Sequence, residues 1–101
     1  MGFFSRPKHN INQLPEGSYL VDVRTSEEYK NGHVPGSLSL PLGEESKITA
    51  LIPDKDAEIF LVCLSGARSK KSAKILQNMG YAKAINIGNV AVWHGTFEEG
   101  M

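Results

Sequence analysis

"EIFLVCLSGARS", residues 58–69, runs through five apolar side chains and a cysteine, then breaks into small residues and an arginine. Nothing polar interrupts Ile59 to Val62, the pattern of a central parallel strand buried on both faces. A helical pattern follows from Ala67 to Met79. Ala73, Leu76 and Met79, joined by Ile75, face one way, and Lys70, Lys71, Lys74 and Asn78 face another. Gly80 stands where a helix C-terminal glycine belongs. A strand, a tight loop and a helix make one half of a parallel β-α-β unit.

Outward from this stretch the same alternation repeats. "SYLVDV", residues 18–23, reads as a second buried strand after the Pro15-Glu16-Gly17 turn. Thr25 and Glu28 form a capping box for a helix that Gly32 stops. "SLSLP", residues 37–41, is a short strand ended by proline, and Ile48, Leu51 and Ile52 recur at helical spacing before Pro53. "KAINI", residues 83–87, is the last strand, with a short helix from Asn89. The pattern predicts an α/β domain: an open parallel sheet of about four to five strands with helices on both faces. Residues 1–15, polar and broken by Pro7 and Pro15, read as an N-terminal arm on a single domain of residues 16–101.

A chain of 101 residues supports one modest core. Eleven basic and eleven acidic side chains cancel, so no global field argues for nucleic acid or an anionic membrane. The charge is nonetheless uneven. No acid falls between Ile59 and Phe97, whereas Arg68, Lys70, Lys71, Lys74 and Lys83 all do, which suggests a positive surface near Cys63. One cysteine makes no internal disulfide. Neither a signal-peptide core nor a membrane span is legible, and Arg6 stands where the myristoylation pattern after Gly2 wants Ser or Thr. The expected location is cytoplasmic. His9 and His94 have no partner at metal-ligand spacing, so neither metal nor cofactor is expected.

Cys63 therefore sits at the carboxyl end of a central strand, where open α/β folds place their ligand sites. Ser65, Gly66 and Ala67 let the backbone curl and turn N–H groups inward, and the following helix adds its positive end. Such a cradle favours a thiolate. Free cysteines also commonly fill cores, so residue chemistry alone leaves both readings open. A Walker-type phosphate loop is excluded by glycine spacing and the missing Lys-Ser/Thr pair.

"DVRTSEEYKNGHVPGS", residues 22–37, and "CLSGARS", residues 63–69, resemble the two signature stretches of the rhodanese family of sulfurtransferases. "GYAKAINIGNVAVW", residues 80–93, resembles the family's closing segment. The resemblance runs from about Tyr19 to Trp93, and with it goes an expected rhodanese-like open parallel sheet with the strand order 83–87, 58–63, 19–23, 37–41. It implies that Cys63 accepts a sulfane sulfur from a donor such as thiosulfate or a persulfide. Cys63 would carry it as a persulfide and pass it to cyanide or a thiol; a persulfide-carrying partner protein is among the donors the site would fit. It assigns the amides from Leu64 through Ser65, Gly66, Ala67 and Arg68 to Ser69 as the persulfide cradle, and pairs Asp22 with Arg68. Four residues between Cys63 and Arg68 match the sulfur-handling loop. Phosphatases and arsenate reductases of this fold carry five, which disfavours that chemistry, and a non-catalytic binding module is the other alternative. Arg24 reads as a structural partner for nearby carboxylates or carbonyls, His33 as a structural hydrogen-bonding residue, and Trp93 as packing against the sheet. The sequence departs from the family at a shortened N-terminal part and at Gly88-Asn89, where two glycines are usual.

Overall fold

The structure, a computed structural model, describes residues 10–100. The first nine positions, with Gly2, Arg6, His9 and most of the proposed arm, lie outside them. Four strands form one parallel sheet: β1 (Tyr19–Asp22), β2 (Leu38–Ser39), β3 (Ile59–Cys63) and β4 (Ala84–Asn89), in the order β2-β1-β3-β4. That is the order expected from the sequence. Three α-helices, α1 (Ser26–Lys30), α2 (Ile48–Leu51) and α3 (Ala67–Asn78), alternate with them.

β3 is central because every residue in it is buried. Alternation then sends its side chains into two layers. Ile59, Leu61 and Cys63 join Val21, Leu40, Ile48, Ile52, Ala73, Leu76 and Tyr81 on one face, where α2 and α3 pack. Phe60 and Val62 join Leu20, Val34, Val90 and Ile11 on the other. That second face is covered in part by a 3-10 turn at Val90–Val92 and by the segment before β1. Ile11 is only 4% exposed there. Asn12 ties the segment down, donating to the Val92 carbonyl at 3.0 Å and accepting from the His94 N–H at 2.8 Å.

Local details depart from the sequence reading. β2 is two residues rather than five, although the ladder continues past it through Leu40 N–H to the Asp22 carbonyl and Leu42 N–H to the Val23 carbonyl. Pro41 between them has no N–H to offer. Leu51 and Ile75, both expected to face inward, are 41% and 39% exposed. A four-residue helix buries only the positions one turn apart, here Ile48 and Ile52. On α3 the inward stripe is Ser69, Ser72, Ala73 and Leu76, which leaves Ile75 among the lysines. The capping box on α1 forms as expected: Thr25 Oγ1 accepts from Glu28 N–H and Glu28 Oε1 accepts from Thr25 N–H. Asn89 caps the 3-10 turn, its Oδ1 accepting from Ala91 N–H at 2.7 Å.

Candidate active site

Because β1 and β3 are neighbours in register, Asp22 opposite Val62, their carboxyl ends place Asp22 and Cys63 side by side. The chain leaves β3 at Cys63, turns through exposed Leu64 and Ser65, and enters α3 at Ala67. Gly66 makes the turn possible with φ of 93°, in the left-handed region. It caps α3 without a side chain, so the first N–H groups of the helix are left for another acceptor. That acceptor is the sulfur: Gly66 N–H donates to Cys63 Sγ at 3.0 Å. The Ser69 hydroxyl lies 3.4 Å from Sγ.

Cys63 is wholly buried. Burial is the largest single influence on its acidity and pushes the thiol up. The Ser69 hydroxyl and the N–H groups of Ser69, Gly66 and Arg68 pull the other way, and together they leave the thiol more acidic than an ordinary one. The donors prevail over burial, as the loop's composition suggested.

The charged residues are paired differently from the family-based expectation. Asp22 does not hold Arg68. Its carboxylate grips Arg24, with Nη2 at 2.7 Å and Nε within 3.1 Å of both oxygens, and also accepts from the Arg24 N–H at 3.0 Å. Arg24 Nη2 donates onward to the Gly32 carbonyl at 2.8 Å, the carbonyl and carboxylate role expected of it. Arg68 instead makes a two-pronged bridge to Glu28, at 2.6 and 3.2 Å. Asp22 and Arg24 are two residues apart on the same side of the chain, so a buried carboxylate is satisfied locally. Arg68 leaves the first turn of α3 toward the first turn of α1, and Glu28 stands there. The bridge to Arg68, with the Thr25 N–H, lowers the Glu28 carboxyl to about 2. Glu28 was legible only as a capping residue; its place in the first turn after β1, on the same edge as the loop, was the available signal.

His33 is structural: its Nδ1–H donates to the Tyr29 carbonyl at 2.8 Å and its ring stacks on Tyr29. His33 also exchanges two backbone hydrogen bonds with Glu98, which brings the C-terminal segment over α1. Trp93 is half-buried against the second layer, as expected. An open groove of about 330 Å³ lies beside the loop, lined by Arg24, Gly32, Leu64, Val90, Ala91 and Phe97 among others. Lys70, Lys71 and Lys74 are exposed on the outer face of α3. Among the described residues no three His, Cys, Asp or Glu side chains are grouped to hold a metal, and no helix is long and apolar enough to cross a membrane.

Fold and site together define an α/β domain that presents one cysteine in an N–H-lined loop at the carboxyl edge of a parallel sheet. The chain belongs to the Rhodanese-like domain family, whose family model matches residues 7–96. It is 35% identical over 73 residues to the thiosulfate sulfurtransferase PspE of Escherichia coli, covering 71% of this chain and 70% of PspE. YrkF of Bacillus subtilis, provisionally named a sulfur carrier protein, is 39% identical over 72 residues. That match covers 71% of this chain but 38% of YrkF, so the chain spans well under half of that relative. Among solved structures, a rhodanese with anions from E. coli superposes with a TM-score of 0.76 at 31% identity, covering 82% of this chain and 99% of that one.

Proposed function

We propose that the protein is a sulfurtransferase in which Cys63 carries the transferred sulfur. The observation that carries this reading is the sulfur itself, held at the base of a loop whose Gly66 N–H points at it from 3.0 Å. In the first displacement the Cys63 thiolate attacks the sulfane sulfur of a donor such as thiosulfate or a persulfide. The Sγ–S bond forms, the donor's S–S bond breaks, and the donor fragment leaves with the bonding pair; for thiosulfate that fragment is sulfite. In the second displacement a cyanide or thiol acceptor attacks the outer sulfur, and Sγ leaves as thiolate. This is covalent catalysis by two transfers at one atom.

The loop from Leu64 to Ser69 serves both steps. Its N–H donors stabilise negative sulfur without having to reorganise, as an oxyanion hole does for oxygen. Arg68, anchored by Glu28, sets the far side of the loop, and Asp22 supports the same edge by fixing Arg24 and the Gly32 carbonyl. The four-residue spacing from Cys63 to Arg68 supports sulfur over a tetrahedral oxyanion. Similarity to a thiosulfate sulfurtransferase supports thiosulfate as a first donor to try. Incubation with thiosulfate followed by intact mass measurement should add one sulfur atom to the protein and none to Cys63→Ser. Equal gain by the serine variant would sink the assignment, and acceptance of the sulfur by cyanide or a thiol would complete the cycle.

A further inference from the structure

β4 meets the loop at Asn86. Up to that residue β3 and β4 pair evenly, Leu61 opposite Asn86. The register then skips Ile87, so that Val62 faces Gly88 and Cys63 faces Asn89. This bulge brings the Asn86 amide between strand and loop, where all its polar atoms are engaged. Oδ1 accepts from the Ser69 hydroxyl at 2.6 Å and from Gly88 N–H at 2.9 Å. Nδ2 donates to the Gly66 carbonyl at 3.4 Å. Gly66 lies close over Gly88; a Cβ on it would stand 3.6 Å from the Gly88 Cα.

The Ser69 hydroxyl has one proton and three acceptors in reach: Asn86 Oδ1 at 2.6 Å, the Gly66 carbonyl at 3.2 Å and Cys63 Sγ at 3.4 Å. An uncharged sulfur is a weak acceptor beside an amide oxygen, whereas a thiolate is a strong one. We infer that Asn86 is a positioning residue for Cys63, holding the Ser69 hydroxyl beside the sulfur and competing with it for that single proton. While Sγ is neutral, as thiol or as the inner sulfur of a persulfide, the hydroxyl donates to Asn86. When Sγ bears charge, before attack and as it leaves in the second transfer, the hydroxyl turns to it. No bond is made or broken in this turn; the proton stays on Ser69 and changes acceptor.

The charged groups around Cys63 all stand on other elements. Arg68 is in the first turn of α3, Glu28 on α1 neutralises it, and the Asp22–Arg24 pair closes the end of β1. β4 contributes no ionisable side chain. A substitution at Asn86 therefore changes the one neutral side of the site.

The test is the pH profile of Cys63 alkylation. It rests on Cys63 being the reacting group but needs no sulfur donor, so failure to load sulfur would overturn the proposed activity and leave this outcome readable. Asn86→Asp keeps the acceptor, makes it anionic and should hold the Ser69 proton more firmly, moving the apparent pKa up by about one unit. Asn86→Ala removes the competitor and should move it down. A residue that merely braced the loop would give an upward shift in both. Introduced into Ser69→Ala, the Asn86→Ala shift should shrink by more than half, because that coupling runs through the hydroxyl, whereas the part of the Asn86→Asp shift that acts through space remains. Upward shifts in both variants, an unmoved pKa in either, or a full Asn86→Ala shift in the Ser69→Ala background would overturn the inference. The downward sign is the decisive reading, and Asn86→Leu, equally unable to accept the proton, takes the place of Asn86→Ala should the alanine variant fail to fold.

Discussion

Replacing Arg68 by alanine and replacing Glu28 by glutamine should change the acidity of Cys63 in opposite senses. Arg68→Ala leaves Glu28 as an unbalanced negative charge near the sulfur and removes a cation attracted to it, so the apparent alkylation pKa should rise. Glu28→Gln leaves the guanidinium unbalanced, and the pKa should fall. Two shifts of the same sign would mean that the bridge acts on loop shape and not on charge. The bridge also has a stability signature. Glu28 titrates near 2 in the folded chain, below an ordinary carboxyl at ~4.3. Its contribution is therefore present above the ordinary value and is lost as pH falls toward 2. Glu28 and Arg68 are each about one-third exposed, so water screens the gain and keeps it small. Urea midpoints of the protein and of Glu28→Gln should accordingly converge as pH drops from 5 toward 2. At this scale the sequence was legible for what lies along the chain: the Thr25 cap, the Cys63 loop, the role of Arg24. It was not legible for the partner of Arg68, because that choice is made forty positions away in sequence by which helix ends point at each other.

Gly66 governs how α3 begins. With φ of 93° it occupies backbone that a side chain adopts only with strain, on the order of 1–2 kcal/mol. Gly66→Ala should therefore lower the denaturation midpoint and, by moving the N–H that lies 3.0 Å from the sulfur, return Cys63 toward ordinary thiol acidity. A variant with a lowered midpoint and an unchanged pKa would separate the turn from the cradle. Elements as long as α3 or as uniformly apolar as β3 could be read directly, since period and burial leave few alternatives. Short ones could not be read to the residue. β2 is regular over two residues although its hydrogen bonds to β1 run on past Pro41, and Leu51 turns outward because a single helical turn buries only Ile48 and Ile52. The Asn86 contacts depend on a one-residue bulge in β4, which alternation of side chains does not announce.

Across the whole molecule the acid-free stretch from β3 to the end of β4 gives one side a positive character. Lys70, Lys71 and Lys74 are exposed there, on the helix that starts at the loop. Thiosulfate is an anion, so Lys74→Glu should slow Cys63 loading at low ionic strength, with a difference that fades above ~0.15 M salt as the field is screened. A difference independent of salt would point to a local contact instead. The parallel direction of the strands was legible from the alternation of strand and helix, and their order came with the family resemblance.

The same parallel order sets a timetable for assembly. No two strands of the sheet are joined by a hairpin; each pairing waits for a distant part of the chain to return, and such closures are slow. α3 can begin to form from neighbouring residues, but the thiolate cradle is complete only when β4 has delivered Asn86 to Ser69. In refolding at about pH 8.5, where an ordinary thiol is half ionised, the ultraviolet absorbance of the Cys63 thiolate should therefore rise after the helical circular dichroism signal. Simultaneous appearance would show that the loop closes without its strand. The sole cysteine thus doubles as a clock, marking the moment at which a folded backbone becomes a reactive one.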